Sequence, residues 1–424
     1  MKIRRWLSWS KLVRIGGAGI SIGLIAAAAF ASPSDDWTQW RGPNREGRSS
    51  ETGLMKEWPS EGPKQSWTNT ETGLGYGGIS VSQGTLFTVG AFDADEFLLA
   101  IDAKTGKEKW RSLLGPLFVN NWGDGPRSTP TVDDGHVYAM SAQGHLVCCD
   151  QATGKEIWKI EMSNFGGSVP SWGYSESPLV DGDRVVVTPG GSQGAIIAVN
   201  KKTGELLWQS DSCQGTAHYS SIIVAEPNGQ KQYVQLLMER LVGLDPKTGK
   251  QLWSVDWPGR VAVIPTPIAQ GNRVYVTSGY GVGCMLVEIA EDNTVTEVYR
   301  NKVMKNHHGG VILVGKQLFG YSDGPGWTCQ DFESGESVWE EPSALGKGCV
   351  TYAGGRLIMQ SEDKGDVVLV EPSDAGWRER GRFTLSPQSE QRKKDGRIWT
   401  HPVVVDGKLY LKDQEILYCY DIKE

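Results

Sequence analysis

What the chain lacks narrows what it can do. There is no G-x-x-x-x-G-K-[ST] phosphate loop and no H-E-x-x-H pair, so the common nucleoside-triphosphate-binding and zinc-protease signatures are missing. Histidine is scarce, at six in 424 residues, and no His or Cys spacing matches a zinc site. Positive charge is in deficit too: 43 Lys and Arg stand against 50 Asp and Glu. An acidic surface repels phosphate backbones and anionic lipid, which argues against nucleic acid and peripheral membrane partners.

Long apolar runs are absent after Phe30. The segment before it holds Lys2, Arg4, Arg5, Lys11 and Arg14, no acid, and an apolar run over 15–30 that ends in Ala29-Phe30-Ala31. That pattern predicts a secretory signal over 1–31, cleaved after Ala31, and a periplasmic or cell-envelope location. Arg4-Arg5 followed by Trp6-Leu7 resembles a twin-arginine export signal; ordinary Sec export and an uncleaved membrane anchor are the alternatives. The run is short for a spanning helix, which favours cleavage. No cysteine follows it to carry a lipid.

Glycine (54) and tryptophan (17) are abundant, and they recur in register. DAKTGKEKW at 102–110 returns as DQATGKEIW at 150–158, NKKTGELLW at 200–208, DPKTGKQLW at 245–253 and DFESGESVW at 331–339. In each copy a strand runs into Asp or Asn, the chain turns at Gly, and Trp follows on the returning strand. Asp or Asn can bond the backbone beyond it, and Gly takes the positive φ that a bulged hairpin loop requires. Trp110, Trp158, Trp208 and Trp253 recur every 45 to 50 residues, the period of a propeller blade.

Eight units follow one another, with second strands such as Leu86-Phe87-Thr88, Val185-Val186-Val187 and Leu409-Tyr410-Leu411. Opening strands begin at Thr129-Pro130, Ser177-Pro178, Thr266-Pro267 and His401-Pro402, where proline is tolerated. Units five and seven are degenerate, with AEDNTVTEVYR and EPSDAGWRERGRF in place of the turn and Trp. The eighth unit stops at Asp421-Ile422-Lys423-Glu424 without a fourth strand, while Pro63 to Trp67 reads as a returning strand with no beginning. The expectation is therefore an all-β, eight-bladed propeller of four-stranded antiparallel blades over 63–424, closed by pairing of these two ends and expected as a monomer. A seven-bladed ring is the fallback, and 32–62, rich in Gly, Pro, Ser and charge, is read as an N-terminal arm.

Seven cysteines in an exported chain invite a disulfide framework. Alignment of the units argues otherwise, because Cys148, Cys329 and Cys419 share a slot that elsewhere holds Ala or Gly. The adjacent pair Cys148-Cys149 lies inside a third strand, with side chains on opposite faces, so all are read as buried thiols.

Chemistry is expected in the segments that precede each first strand, since these links converge on one mouth of the central channel. They carry Trp122, Trp172, Tyr174, Glu176, Tyr219 and Trp399, together with four of the six histidines, His218, His307, His308 and His401. Aromatic planes and imidazoles around a funnel suit a small, flat, polar ligand or a loop of an envelope protein. A purely structural role, with the rings capping the channel, is the competing reading.

The repeated D-x-x-T-G-K-x-x-W motif and the S/T-P openings resemble the PQQ-type propeller repeat family, which includes quinoprotein alcohol dehydrogenases and BamB-like proteins. The resemblance implies one of two functions. The first is a non-catalytic envelope scaffold that binds a protein at its mouth or rim. The second is a dehydrogenase for an alcohol or sugar that uses pyrroloquinoline quinone and calcium; Trp172 or Trp399 would stack on the quinone, Glu176 would bind the metal, and Asp124 or Asp323 would act as the base.

Overall fold

A computed structural model describes residues 36–424; the predicted signal segment over 1–31 lies outside the described residues. From Ser80 onward the chain forms seven complete four-stranded antiparallel sheets in strict sequence order, and an eighth sheet joins its two ends. In that last sheet Lys64–Asn69 pairs antiparallel with Ile416–Asp421, from Lys64 opposite Asp421 to Asn69 opposite Leu417. The pairing covers the edge that Ile416–Asp421 would otherwise present. Units five and seven do form outer strands, Val295–Asn301 and Glu379–Thr384, so the ring has eight blades and not seven.

The repeated turn explains why the blades stay in register. Asp102 Oδ1 accepts from the backbone N–H and the hydroxyl of Thr105, both at 2.8 Å, and Gly106 holds φ 71° while its N–H donates to Asp102 O. The glycine is required a second time by packing. A Cβ on Gly154 would lie 2.4 Å from Trp110 of the preceding blade, and Trp67, Trp158 and Trp208 press in the same way on Gly106, Gly204 and Gly249. Indole N–H groups of Trp67, Trp158 and Trp208 bond carbonyls of the turn they cover, Ala103, Lys201 and Pro246. In degenerate unit five, Tyr299 takes this place against Gly335 and donates its hydroxyl to Phe332 O.

Between neighbouring blades lie separate apolar layers. Cys148 packs in the layer toward the third blade and Cys149 in the layer toward the first, as alternation along a strand demands. All seven cysteines are free and buried.

Around the axis, side chains at the opening signatures stitch one link to the next. Ser177 Oγ accepts from Thr129 N at 2.9 Å, Ser221 Oγ accepts from Ser177 N at 3.0 Å, and the hydroxyls of Thr131, Ser220 and Thr351 donate to the carbonyls of Pro178, Pro265 and Pro402. The S/T-P motif is thus a polar belt at the axis that anchors the links above it.

The arm enters this belt. Trp37 O and Thr38 O accept from Val81 N and Val132 N of the innermost strands. Arg45, only 3% exposed, donates to Ser177 O at 3.1 Å, to Ile222 O at 2.9 Å and to Pro178 O, while its Nε donates to Gln39 Oε1. Arg41 donates to Val311 O at 2.5 Å and to Glu46 O at 3.1 Å. Burial pulls both guanidinium groups down, Arg41 to about 10 and Arg45 to about 9, against the opposing pull of Glu46 on Arg41 and of Glu176 on Arg45, so both stay charged at neutral pH.

Candidate functional site: an aromatic cavity at the channel mouth

Seven of the eight interblade links contribute to one cavity of about 180 Å³. Tyr76 and Gly78 come from the link into the first blade, Trp122 and Arg127 from the next, and Trp172, Ser175, Tyr219 and Ser221 from the two after that. His307 and His308 face them with Trp399, Thr400 and His401, and Trp40 of the arm completes the lining. A short hairpin of the fifth blade adds Tyr280.

The rings are mutually ordered. Trp399 meets Tyr76 at 4.7 Å and Trp122 at 6.4 Å between centroids, and stacks on His308 at 4.5 Å with planes 24° apart. His307 meets the edge of Tyr280 at 4.6 Å, Trp172 that of Tyr219 at 5.8 Å, and Trp40 that of His401 at 4.8 Å. Such tilted and edge-on pairs favour fixed orientations, so the walls are preformed. The long link 385–402 closes one side: Lys393 Nζ donates to Asn120 O at 3.1 Å and pairs with Asp124 at 2.7 Å.

The imidazoles are kept neutral. Burial, with Lys347 beside it, lowers His307 to about 4; burial and the same neighbours carry His308 well down; burial and Arg41 take His401 to about 3. Lys347 Nζ sits 3.0 Å from His307 Nδ1 and 2.7 Å from Asp323, which it neutralises. His401 Nε2 lies 2.9 Å from His308 O, and its ring is fixed there.

Of the residues singled out in the sequence, Trp122, Trp172, Tyr219, His307, His308, Trp399 and His401 line the cavity together. Tyr174 and Glu176 point inward from the same links: the Tyr174 hydroxyl donates to Pro189 O at 2.9 Å, and Glu176 accepts from Thr188 N at 2.6 Å, from the Thr188 hydroxyl and from Gln235. Burial raises Glu176 to about 7. His218 lies behind Tyr219, with Nδ1 accepting from Val263 N at 3.4 Å, and Asp124 and Asp323 are held by lysines. Among the lining residues that escaped the list of site candidates are Trp40, Tyr76, Arg127 and Tyr280. Tyr76 stood within a link segment, and WTQWRGPNREG held Trp40 in an arm with no period; Arg127 and Tyr280 carried no sequence signal.

Calcium with pyrroloquinoline quinone does not fit this arrangement. Asp124 and Asp323 are each neutralised by a lysine, and Glu176 already accepts bonds from Thr188 and Gln235. Among the described residues no three His, Cys, Asp or Glu side chains are placed to share a metal. Neither Asp124 nor Asp323, the two candidate bases, is left free.

The comparisons with known proteins agree with the fold. A BamB of Burkholderia pseudomallei, an outer membrane protein assembly factor, is 26% identical over 248 residues, 56% of this chain and 58% of that one. The chain spans about half the length of the curated relatives it matches first. BamB from Moraxella catarrhalis superposes with a TM-score of 0.60 at 16% identity, over 85% of this chain and 98% of that one. Quinohemoprotein alcohol dehydrogenase from Comamonas testosteroni gives 0.62 at 14% identity, over 93% and 82%, so the likeness of structure speaks for the fold alone. A family profile described as outer membrane protein assembly factor BamB matches residues 94–341, and the chain belongs to that family of PQQ-type propellers.

Proposed function

We propose that this protein is a non-catalytic scaffold of the cell envelope that binds another protein through the mouth of its propeller. The observation that carries the reading is the cavity itself: residues from seven links, six of them with rings, converge there, while every candidate catalytic carboxylate is occupied by a lysine or by hydrogen-bond donors. Such a surface can bind and orient, and the carboxylates the dehydrogenase reading would use as base or metal ligand are already engaged. Membership of a family described by outer membrane protein assembly supports a protein as the partner, and the charged, export-type segment before residue 32 supports the envelope as its place.

A photoreactive amino acid at Val119, exposed on a mouth link, tests this in cells, with Lys104 in the turn on the opposite face as control. Adducts of defined mass are expected from Val119 and not from Lys104. Equal labelling at both positions, or none at Val119, would remove the mouth as the binding surface. The dehydrogenase reading is tested separately: purified protein mixed with the quinone and calcium should gain neither a bound chromophore nor dye-linked alcohol oxidation.

A further inference from the structure

Three properties of the mouth together specify an occupant. First, a cavity of about 180 Å³ is close to the ~150 Å³ of an apolar cavity that holds one benzene ring, so there is room for one or two fused rings. Second, Arg127 lines this cavity without a carboxylate in ion-pair distance among the described residues. Its Nη1 and Nη2 donate to Gly125 O at 2.6 Å and Gly123 O at 2.7 Å, and its guanidinium lies 5.2 Å from the Tyr76 and Phe118 ring centroids, so it is fixed in place without a direct ion pair. The nearby Asp124 is taken by Lys393, and burial raises Glu96 to about 7, which weakens its claim on Arg127. Third, His307 Nε2 and His308 Nδ1 are buried atoms, the latter 4.0 Å from Glu362, so these two lining rings offer the cavity their faces and not their nitrogens.

Apolar side chains extend beyond the cavity. Val119, Val169 and Val261, on three different mouth links, are 66%, 45% and 52% exposed. A small molecule seated in the cavity would leave them uncovered, whereas a polypeptide crossing the mouth would shield them.

Resting on the proposal that the mouth is the binding surface, we infer that it captures an aromatic side chain of a partner polypeptide that carries a carboxylate beside it. The ring enters among the indoles, the carboxylate meets Arg127, and flanking apolar residues cover the valines.

Titration calorimetry of the full chain with an end-blocked hexapeptide, Gly-Val-Phe-Asp-Val-Gly, tests this directly. Analogues with Ala for Phe or Asn for Asp, and N-acetylphenylalanine, complete the series. Loss of the ring is expected to weaken binding by about tenfold or more, and loss of the carboxylate several-fold. Arg127→Gln should erase the preference for Asp over Asn. Because Arg127 is buried and its variant can fail to fold, Trp122→Ala at an exposed position provides a second test: it should weaken the Phe peptide and leave the Ala analogue unchanged. Equal binding of the Asp and Asn peptides to the wild-type chain, or of the Phe and Ala peptides, overturns the inference. Binding of N-acetylphenylalanine as tight as the peptide overturns the polypeptide and assigns the site to a small aromatic acid. If Val119 still cross-links to a partner while the peptide fails to bind, the mouth stands and the occupant is wrong; if both fail, the reading of the mouth falls with it.

Discussion

The imidazole of His308 lies on the indole of Trp399 with ring centroids 4.5 Å apart, and the same indole donates its N–H to Glu362 at 3.0 Å. Burial pushes His308 down and Glu362 up, so it disfavours the charged form of both partners of Trp399. A stacked neutral pair is the least expensive way to keep two such groups in an apolar wall.

Acid should loosen this wall. His307 and His401 are held down to about 4 and about 3, so in the folded protein they stay neutral where the unfolded chain already binds protons. Their contribution is full above the unfolded value near 6.5 and is lost as pH falls from there toward the folded values. Glu96 and Glu176, raised to about 7 by burial, act in the opposite sense: their folded state gains protons first, so they favour folding as pH falls from 7 toward 4.5. A His401→Gln variant separates the two. Denaturant melts at pH 7 and 5 should show the variant losing less stability on acidification than the wild type, by about 2 kcal/mol. An unchanged pH dependence would mean that His401 is charged in the folded state.

Glycine in the repeated turn is predicted to fail more severely than glycine in an open turn. Gly154→Ala meets a positive φ and the Trp110 ring together, and should lose about 3 kcal/mol in urea melts. Gly135→Ala has a positive φ of 77° with nothing within 4 Å of the new carbon, and should lose only about 1 kcal/mol.

The arm is predicted to be a structural member of the ring. Arg45→Ala removes the donor for the Ser177, Pro178 and Ile222 carbonyls at the axis, and should destabilise by about 3 kcal/mol. Arg45→Lys keeps the charge without the planar fork and should recover only part of this, as melting temperatures will show.

None of the seven thiols should react with a disulfide reagent in the native protein, and all seven should react on unfolding. Each is buried, and burial raises those of Cys148 and Cys329 to about 12, where almost no thiolate exists at neutral pH. A fast-reacting fraction in the native state would contradict the packing.

The repeat was legible because its cause is local. Asp102, Thr105 and Gly106 make their bonds within five residues, so DAKTGKEKW announces its own turn wherever it occurs, and the missing fourth strand of the last unit announced closure with Lys64–Asn69. Convergence of the links followed from the fold, which is why His307, His308, Trp172 and Trp399 could be named together. Which link residues face the cavity was decided only in three dimensions. Glu176 and Trp172 share a link, yet one is drawn inward by Thr188 and Gln235 while the other faces the cavity. Trp40 reaches the site through a contact far away in the chain, its indole donating to Thr266. Short-range bonds leave a pattern in sequence; a cavity walled by seven links, and an arm threaded into the axis, are set by long-range packing that no local pattern records.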